Sequence, residues 1–211
     1  MVSALLDGRA LTASELALAA QITPQTASAH LGKLTRAGLL SVERNGRHRY
    51  FRLASQTVAE MIEGIVAVAL EKRPKFRPLS RQARAVDAAR ICYDHLAGRL
   101  SVDLTDSLVV RKYIVLDDKA AEITTAGTHF FAEFGIALPP RRLTRLCLDW
   151  TERRPHIAGA LGAAITNRFF YLGWMERVKR SHAVLVTPLG RRGFQETFGI
   201  DASEPADLGR P

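Results

Sequence analysis

The sequence predicts a mainly α-helical chain with short β-hairpins, an α+β fold, and three observations carry that expectation. Residues Pro24 to Ala37, PQTASAHLGKLTRA, place Ala27, Leu31 and Leu34 on one helical stripe between a Thr23-Pro24 start and Gly38. Immediately afterwards, Leu39 to Arg44 and His48 to Leu53 alternate in polarity around Asn45-Gly46, a dipeptide favoured in tight hairpins. The third observation is an internal echo. ITTAGTHFFAEFGI at 123–136 and VTPLGRRGFQETFGI at 186–200 share a threonine, a glycine, a phenylalanine, a glutamate and a final FGI, and each follows a strand-like pair.

The remaining elements follow in order. Val2 to Leu6 reads as the end of a helix, and Thr12 with Glu15 forms a T-x-x-E capping box that opens a short helix over Ala13 to Ala20. After the hairpin, Ser55 caps a helix whose Val58, Met61, Ile62, Ile65 and Val66 share one stripe. Residues 71–80, EKRPKFRPLS, combine two prolines with clustered cations and read as a basic linker between a unit at 1–70 and a unit at 81–211. In the second unit the pattern predicts a long amphipathic helix over Arg81 to Gly98 and a further helix near Val102 to Arg111. Strands at Tyr113 to Leu116 and Ala121 to Thr124 come next, then helices over Thr124 to Gly135 and Ile157 to Tyr171. The helix, glycine, strand, basic turn, strand order near residues 159–187 repeats that of the N-terminal hairpin, so this unit reads as helical and winged-helix-like.

Helix, short helix, helix, hairpin, helix is the order of a winged helix-turn-helix. In that arrangement the helix before the hairpin enters the major groove and the hairpin flanks it. Its polar residues off the apolar stripe are Gln25, Thr26, Ser28, His30, Lys33 and Arg36, which makes them candidate DNA contacts. The hairpin adds Arg44, Arg47, His48 and Arg49, cations placed to meet phosphates or the minor groove. The whole chain agrees in charge: 30 Lys and Arg against 21 Asp and Glu give a net charge of +9 over 211 residues. A polyanionic partner suits such a balance.

The stretch LTASELALAAQITPQTASAHLGKLTRAGLLSVERNGRHRYFRL resembles the ArsR/SmtB family of bacterial winged-helix repressors. The likeness lies in the L-x-x-L-x-x-A-G-L-L run that closes the recognition helix and in the R-Y-F-x-L that closes the wing, and it spans about residues 3 to 70. It implies a homodimer that binds a pseudo-palindromic operator in double-stranded DNA and releases it when an effector binds. The family's first helix contributes to the dimer contact and reads here as cut short at Met1. Metal-sensing members carry cysteines in the short helix or a His/Asp/Glu set after the wing. Here the short helix is SELALAA and the later helix offers Glu60 and Glu63 without histidine, so those sites do not transfer.

The second unit reads as an effector-sensing and dimer-supporting part. Cys92-x-x-His95 puts a thiol and an imidazole one helical turn apart, and Cys147, Asp149 and His156 lie in another segment. Sulfur and imidazole donors suit zinc or another soft metal where such segments meet. Their spacing fits no standard site and buried cysteines commonly serve packing, so no metal ligand is assigned to Cys92, His95, Cys147 or His156. No cofactor is expected, and a metal or a small molecule stands as the class of effector. Phe130, Phe131, Phe134, Phe169, Phe170, Tyr171 and Trp174 either line an apolar pocket or form core. Asp94, Asp149 and Glu152 lack a nucleophile or pocket to work with, so the unit is not read as an enzyme; a catalytic part at 81–211 and a protein-interaction winged helix are the rival readings. Two cysteines, no apolar run near the roughly 20 residues that span a bilayer and no signal-like start predict a cytoplasmic protein without membrane partners.

Overall fold

The computed structural model describes residues 1–71, 81–117, 120–138, 143–178 and 181–202. It begins with a 3-10 turn at Val2–Leu5, the strand β1 (Leu11–Thr12) and helix α1 (Ala13–Ala20). Thr12 and Glu15 close a reciprocal capping box, as the T-x-x-E pattern predicts. Helix α2 (Pro24–Arg36) starts at Thr23, whose hydroxyl accepts from the Thr26 N–H, and Pro24 costs no hydrogen bond at the first helical position. Strands β2 (Leu40–Asn45) and β3 (His48–Leu53) form the hairpin, and β1 joins them in the order β1-β3-β2. Helix α3 (Gln56–Glu71) follows, with the Val58 N–H bonded to Ser55 Oγ at its start. Leu5, Leu16, Leu31, Leu40, Phe51, Leu53, Ala59 and Ile62 form the buried core of this part. The basic linker expected at 71–80 lies outside the described residues apart from Glu71, which ends α3.

Two local expectations are corrected here. The hairpin turn is Gly46-Arg47, closed by the pair Asn45↔His48, one residue later than Asn45-Gly46. Gly46 has φ +59° while Arg47 does not enter the left-handed region, so glycine takes the first corner as a type II′ turn requires. In α3, Ile62 is buried but Met61 and Ile65 are exposed, so the five-residue stripe splits between this core and solvent.

The long helix expected over Arg81 to Gly98 does not run its full length. The helix α4 stops at Arg81–Ala88, and a hairpin of β4 (Arg90–Cys92) and β5 (His95–Ala97) takes the rest. Tyr93 adopts φ +56° in the turn and its N–H bonds Leu6 O, while Arg90, Ile91, Cys92, His95, Leu96 and Ala97 are all buried. Burial on both faces removes the polar side that a surface helix needs, so tertiary contacts override the helical pattern. Helix α5 (Arg99–Val110), strands β6 (Ile114–Leu116) and β7 (Ala120–Ile123) and helix α6 (Thr125–Glu133) complete one series.

The same series then recurs: β8 (Leu143–Leu148), β9 (Pro155–Ile157), α7 (Gly159–Tyr171), β10 (Met175–Arg177), β11 (Val184–Val186) and α8 (Pro188–Phe198). The expected helix–hairpin order is thus present twice. The two copies exchange strands. β7 of the first pairs with β8 of the second through Ala120↔Arg145, and Ala183, just before β11, bridges Arg90 in β4. Phe131, Phe169, Phe194, Leu108, Ile114, Ile123, Leu161 and Met175 fill the common core. Phe130, Phe134 and Trp174 pack against it edge to face or stacked, so most of the aromatic set is core, while Tyr171 lies 81 % exposed.

Candidate nucleic-acid interface

All ten candidate DNA contacts, Gln25, Thr26, Ser28, His30, Lys33, Arg36, Arg44, Arg47, His48 and Arg49, are exposed. Five of them, Ser28, Arg36, Arg47, His48 and Arg49, line one open recess together with Thr12, Gly32 and Thr35. Helical spacing explains the helix's share: Ser28, Gly32 and Arg36 are four apart and stack on the flank of α2 that faces the hairpin. Thr26, His30 and Lys33, four and three apart, lie on the opposite flank. Thr26 also serves the cap, its hydroxyl 2.9 Å from that of Thr23. In the wing, the cross-strand pair Arg44↔Arg49 shares a face with Val42↔Phe51, and Phe51 is buried against the core. That anchorage holds Arg49 beside α2, and Arg47 occupies the tip. On the other face the Arg52–Glu43 ion pair at 3.0 Å ties the strands diagonally.

A second group of chemically active residues lies deep in the chain, where sequence spacing alone could not assemble it. Cys92 and His95 are cross-strand partners in β4–β5, and Cys147 and His156 are cross-strand partners in β8–β9. One donor atom from each of Cys92, His95 and Cys147 falls within 4.8 Å of the others. The His95 and His156 rings are 5.2 Å apart. Glu63 of α3 reaches the same place, its carboxyl 3.3 Å from Cys147 Sγ. The helical Cys92/His95 pair anticipated from C-x-x-H is therefore a hairpin pair, and Glu63 was missed because nothing near it in sequence carries sulfur or imidazole.

The electrostatics of this cluster are strongly coupled. Cys92 shares its proton with Cys147 and is pushed well above the ordinary thiol range, by that hydrogen bond and by burial. The same bond, helped by His156 and His95 and opposed by burial, holds Cys147 far below the ordinary thiol range, so of the two sulfurs Cys147 is the first to ionise. Burial would depress His95, but its bond to Asp94 and the neighbouring thiolate raise it to about 9. For His156 burial prevails and keeps the imidazole below its usual value. Burial, then the Cys147 charge, lifts Glu63 to about 7.

Asp149, another sequence candidate, has a structural task. It is buried and binds Arg90 at 2.8 Å, the Gly98 N–H at 2.7 Å and the Thr151 hydroxyl at 2.6 Å. Those partners hold its carboxyl below the usual range in spite of burial, which alone would raise it. Asp94 bonds His95 at 3.0 Å, and the Glu152 N–H bonds Asp149 at 3.0 Å.

Comparison with known proteins agrees with the N-terminal geometry. A family model described as a helix-turn-helix domain matches residues 1–43. A Bacillus subtilis (strain 168) protein named as the HTH-type transcriptional regulator YdfF is 41% identical over 201 residues, which cover 93% of this chain and 89% of that protein. A solution structure of a homodimeric winged helix-turn-helix DNA-binding domain from Mycobacterium bovis, titled a possible ArsR-family regulator, is 28% identical with a TM-score of 0.32, over 37% of this chain and 72% of that one. With a regulator matched along nearly the full length of both chains and a helix-turn-helix where the sequence pattern places it, this chain belongs to the helix-turn-helix transcriptional regulators.

Proposed function

We propose that the protein is an effector-responsive, homodimeric repressor of the ArsR/SmtB type that binds a pseudo-palindromic operator. Residues 1–70 act as the DNA reader and residues 81–211 as the sensing and dimer-supporting unit. The observation that carries the reading is the recess in which Ser28 and Arg36 of α2 meet Arg47, His48 and Arg49 of the wing. A helix flank with hydroxyl and guanidinium groups suits base edges, and a cationic hairpin beside it suits the phosphate backbone. The exposed apolar residues Met61, Ile65 and Val68 of α3 recur at helical spacing and give a second copy a surface to cover.

Fluorescence anisotropy with the DNA upstream of its own gene and a shuffled duplex, each at two salt concentrations, tests this. Tight binding to the first alone, weakening with salt, is expected. Arg47→Ala should weaken binding to both duplexes and reduce the salt slope by about 1. Ser28→Ala or His30→Ala should change base preference, worth about 1–3 kcal/mol at the position read. An Arg47→Ala protein with unchanged affinity and salt response would remove the wing from the interface, and equal binding of both duplexes would contradict operator recognition.

A further inference from the structure

The buried cluster at the junction of the two C-terminal copies has the composition and arrangement of a metal centre. Each copy supplies one thiol and one imidazole from a cross-strand pair, Cys92↔His95 from the first and Cys147↔His156 from the second. The copies therefore bring donor atoms of Cys92, His95 and Cys147 within 4.8 Å of one another, and the His156 ring lies beside them, 5.2 Å from that of His95. His95 and His156 are each only 1 % exposed, and His95 Nε2 and both His156 ring nitrogens have no hydrogen-bond partner. Orphaned buried nitrogens of this kind cost free energy unless something binds them. The other nitrogen of His95 is held by Asp94 at 3.0 Å, the outer contact that aims a ligating imidazole and fixes its tautomer. Cys92 is 2 % and Cys147 8 % exposed, and neither lines the recess of α2 and the wing.

We propose that Cys92, His95, Cys147 and His156 bind one zinc-class divalent ion, with Glu63 of α3 beside it. Two thiolates and two imidazoles form a tetrahedral set that zinc favours over hard cations. Zn–S bonds of about 2.3 Å and Zn–N bonds of about 2.0 Å bring such ligand atoms to under about 4 Å of one another, a contraction of about an ångström from the present spacing of Cys92, His95 and Cys147. Binding releases the proton shared by the two sulfurs and the proton on the ligating nitrogen of His95. The ion staples the two copies to each other, while Glu63 beside Cys147 and Glu60 paired with Arg145 of β8 hold the helix that follows the wing against them. This centre does not depend on how the protein uses DNA.

The test is titration of the reduced, metal-stripped full-length protein with Co²⁺ and then Zn²⁺. One Co²⁺ per chain should bind with sulfur-to-cobalt charge-transfer absorption and the intense d–d bands of a tetrahedral site, and Zn²⁺ should displace it. Zn²⁺ should raise the thermal midpoint of the wild type, and Cys147→Ser, which leaves the Cys92 thiolate, should cut the charge-transfer absorption to about half or weaken binding at least about tenfold. Glu63→Gln should keep the stoichiometry. Folded wild-type protein that binds no Co²⁺, an octahedral cobalt spectrum without sulfur absorption, or a stable Cys92–Cys147 disulfide formed in the presence of excess Zn²⁺ would overturn the proposal. The wild-type titration decides even where a variant fails to fold.

Discussion

Thr124 and Thr187 show how single residues define the C-terminal fold. Each caps a helix, accepting from the N–H of Gly127 at 3.0 Å or Gly190 at 2.9 Å, and each donates to the carbonyl that ends the preceding helix region, Lys112 O or Gly173 O, at 2.7 Å. The glycine of each T-x-x-G is fixed by contact. A methyl group at Gly127 would lie 2.0 Å from Tyr113 O and one at Gly190 2.0 Å from Trp174 O, both rigid backbone. Gly190→Ala should therefore destabilise the protein by about 1–3 kcal/mol, read from urea unfolding, because the helix must move off the strand. Gly32→Ala is the control. Its methyl would meet only the end of the Arg36 side chain at 3.6 Å, so helix propensity should make it neutral or stabilising by up to about 1 kcal/mol. The shared threonine and glycine of the echo were legible in the sequence; the carbonyls that exclude a side chain there were not.

At the scale of elements, caps and apolar periodicity proved sufficient where an element packs on one face. Helix α1 and the start of α2 fall where Thr12, Thr23 and Pro24 place them. Periodicity misled in two ways. Between Arg90 and Ala97 burial is continuous, and a short apolar run then looks alike as helix or strand. Along α3, the apolar stripe does not bury as a whole: Ile62 enters the core, whereas Met61 at 46 % and Ile65 at 62 %, like Val68 at 61 %, are exposed in the single chain. If this surface joins two copies, Ile65→Asp should reduce the mass measured by light scattering from twice 23.3 kDa to that of one chain with circular dichroism unchanged. A wild-type protein that is already monomeric would exclude the dimer reading.

Across the whole molecule the two C-terminal copies are bound by reciprocal contacts. Thr105 of α5 donates to Ser101 O and receives the Ile157 N–H at 3.1 Å; Thr166 of α7 donates to Gly162 O and receives the Leu96 N–H at 2.8 Å. Thr105→Val and Thr166→Val each keep the shape and strand one buried N–H, so each should cost about 1–3 kcal/mol in urea unfolding, and by similar amounts. Strongly unequal losses would contradict the equivalence of the copies. Contacts reaching the N-terminal part, His182 to Asp7 at 3.5 Å and the Arg9 guanidinium to Ser181 O at 3.3 Å, connect these hairpins to the first residues of the chain.

The sequence by itself determined the capped helices, the wing, the ten exposed polar residues of the candidate interface and the existence of an echo, because each depends on neighbours a few residues away. Only the tertiary structure decided that the echo is an exchange of strands between two copies, that Cys92-x-x-His95 is a hairpin pair, and that Cys147, His156 and Glu63 join it. Those outcomes depend on residues about 30 to 85 positions apart being brought together by burial, and no local spacing encodes such a meeting.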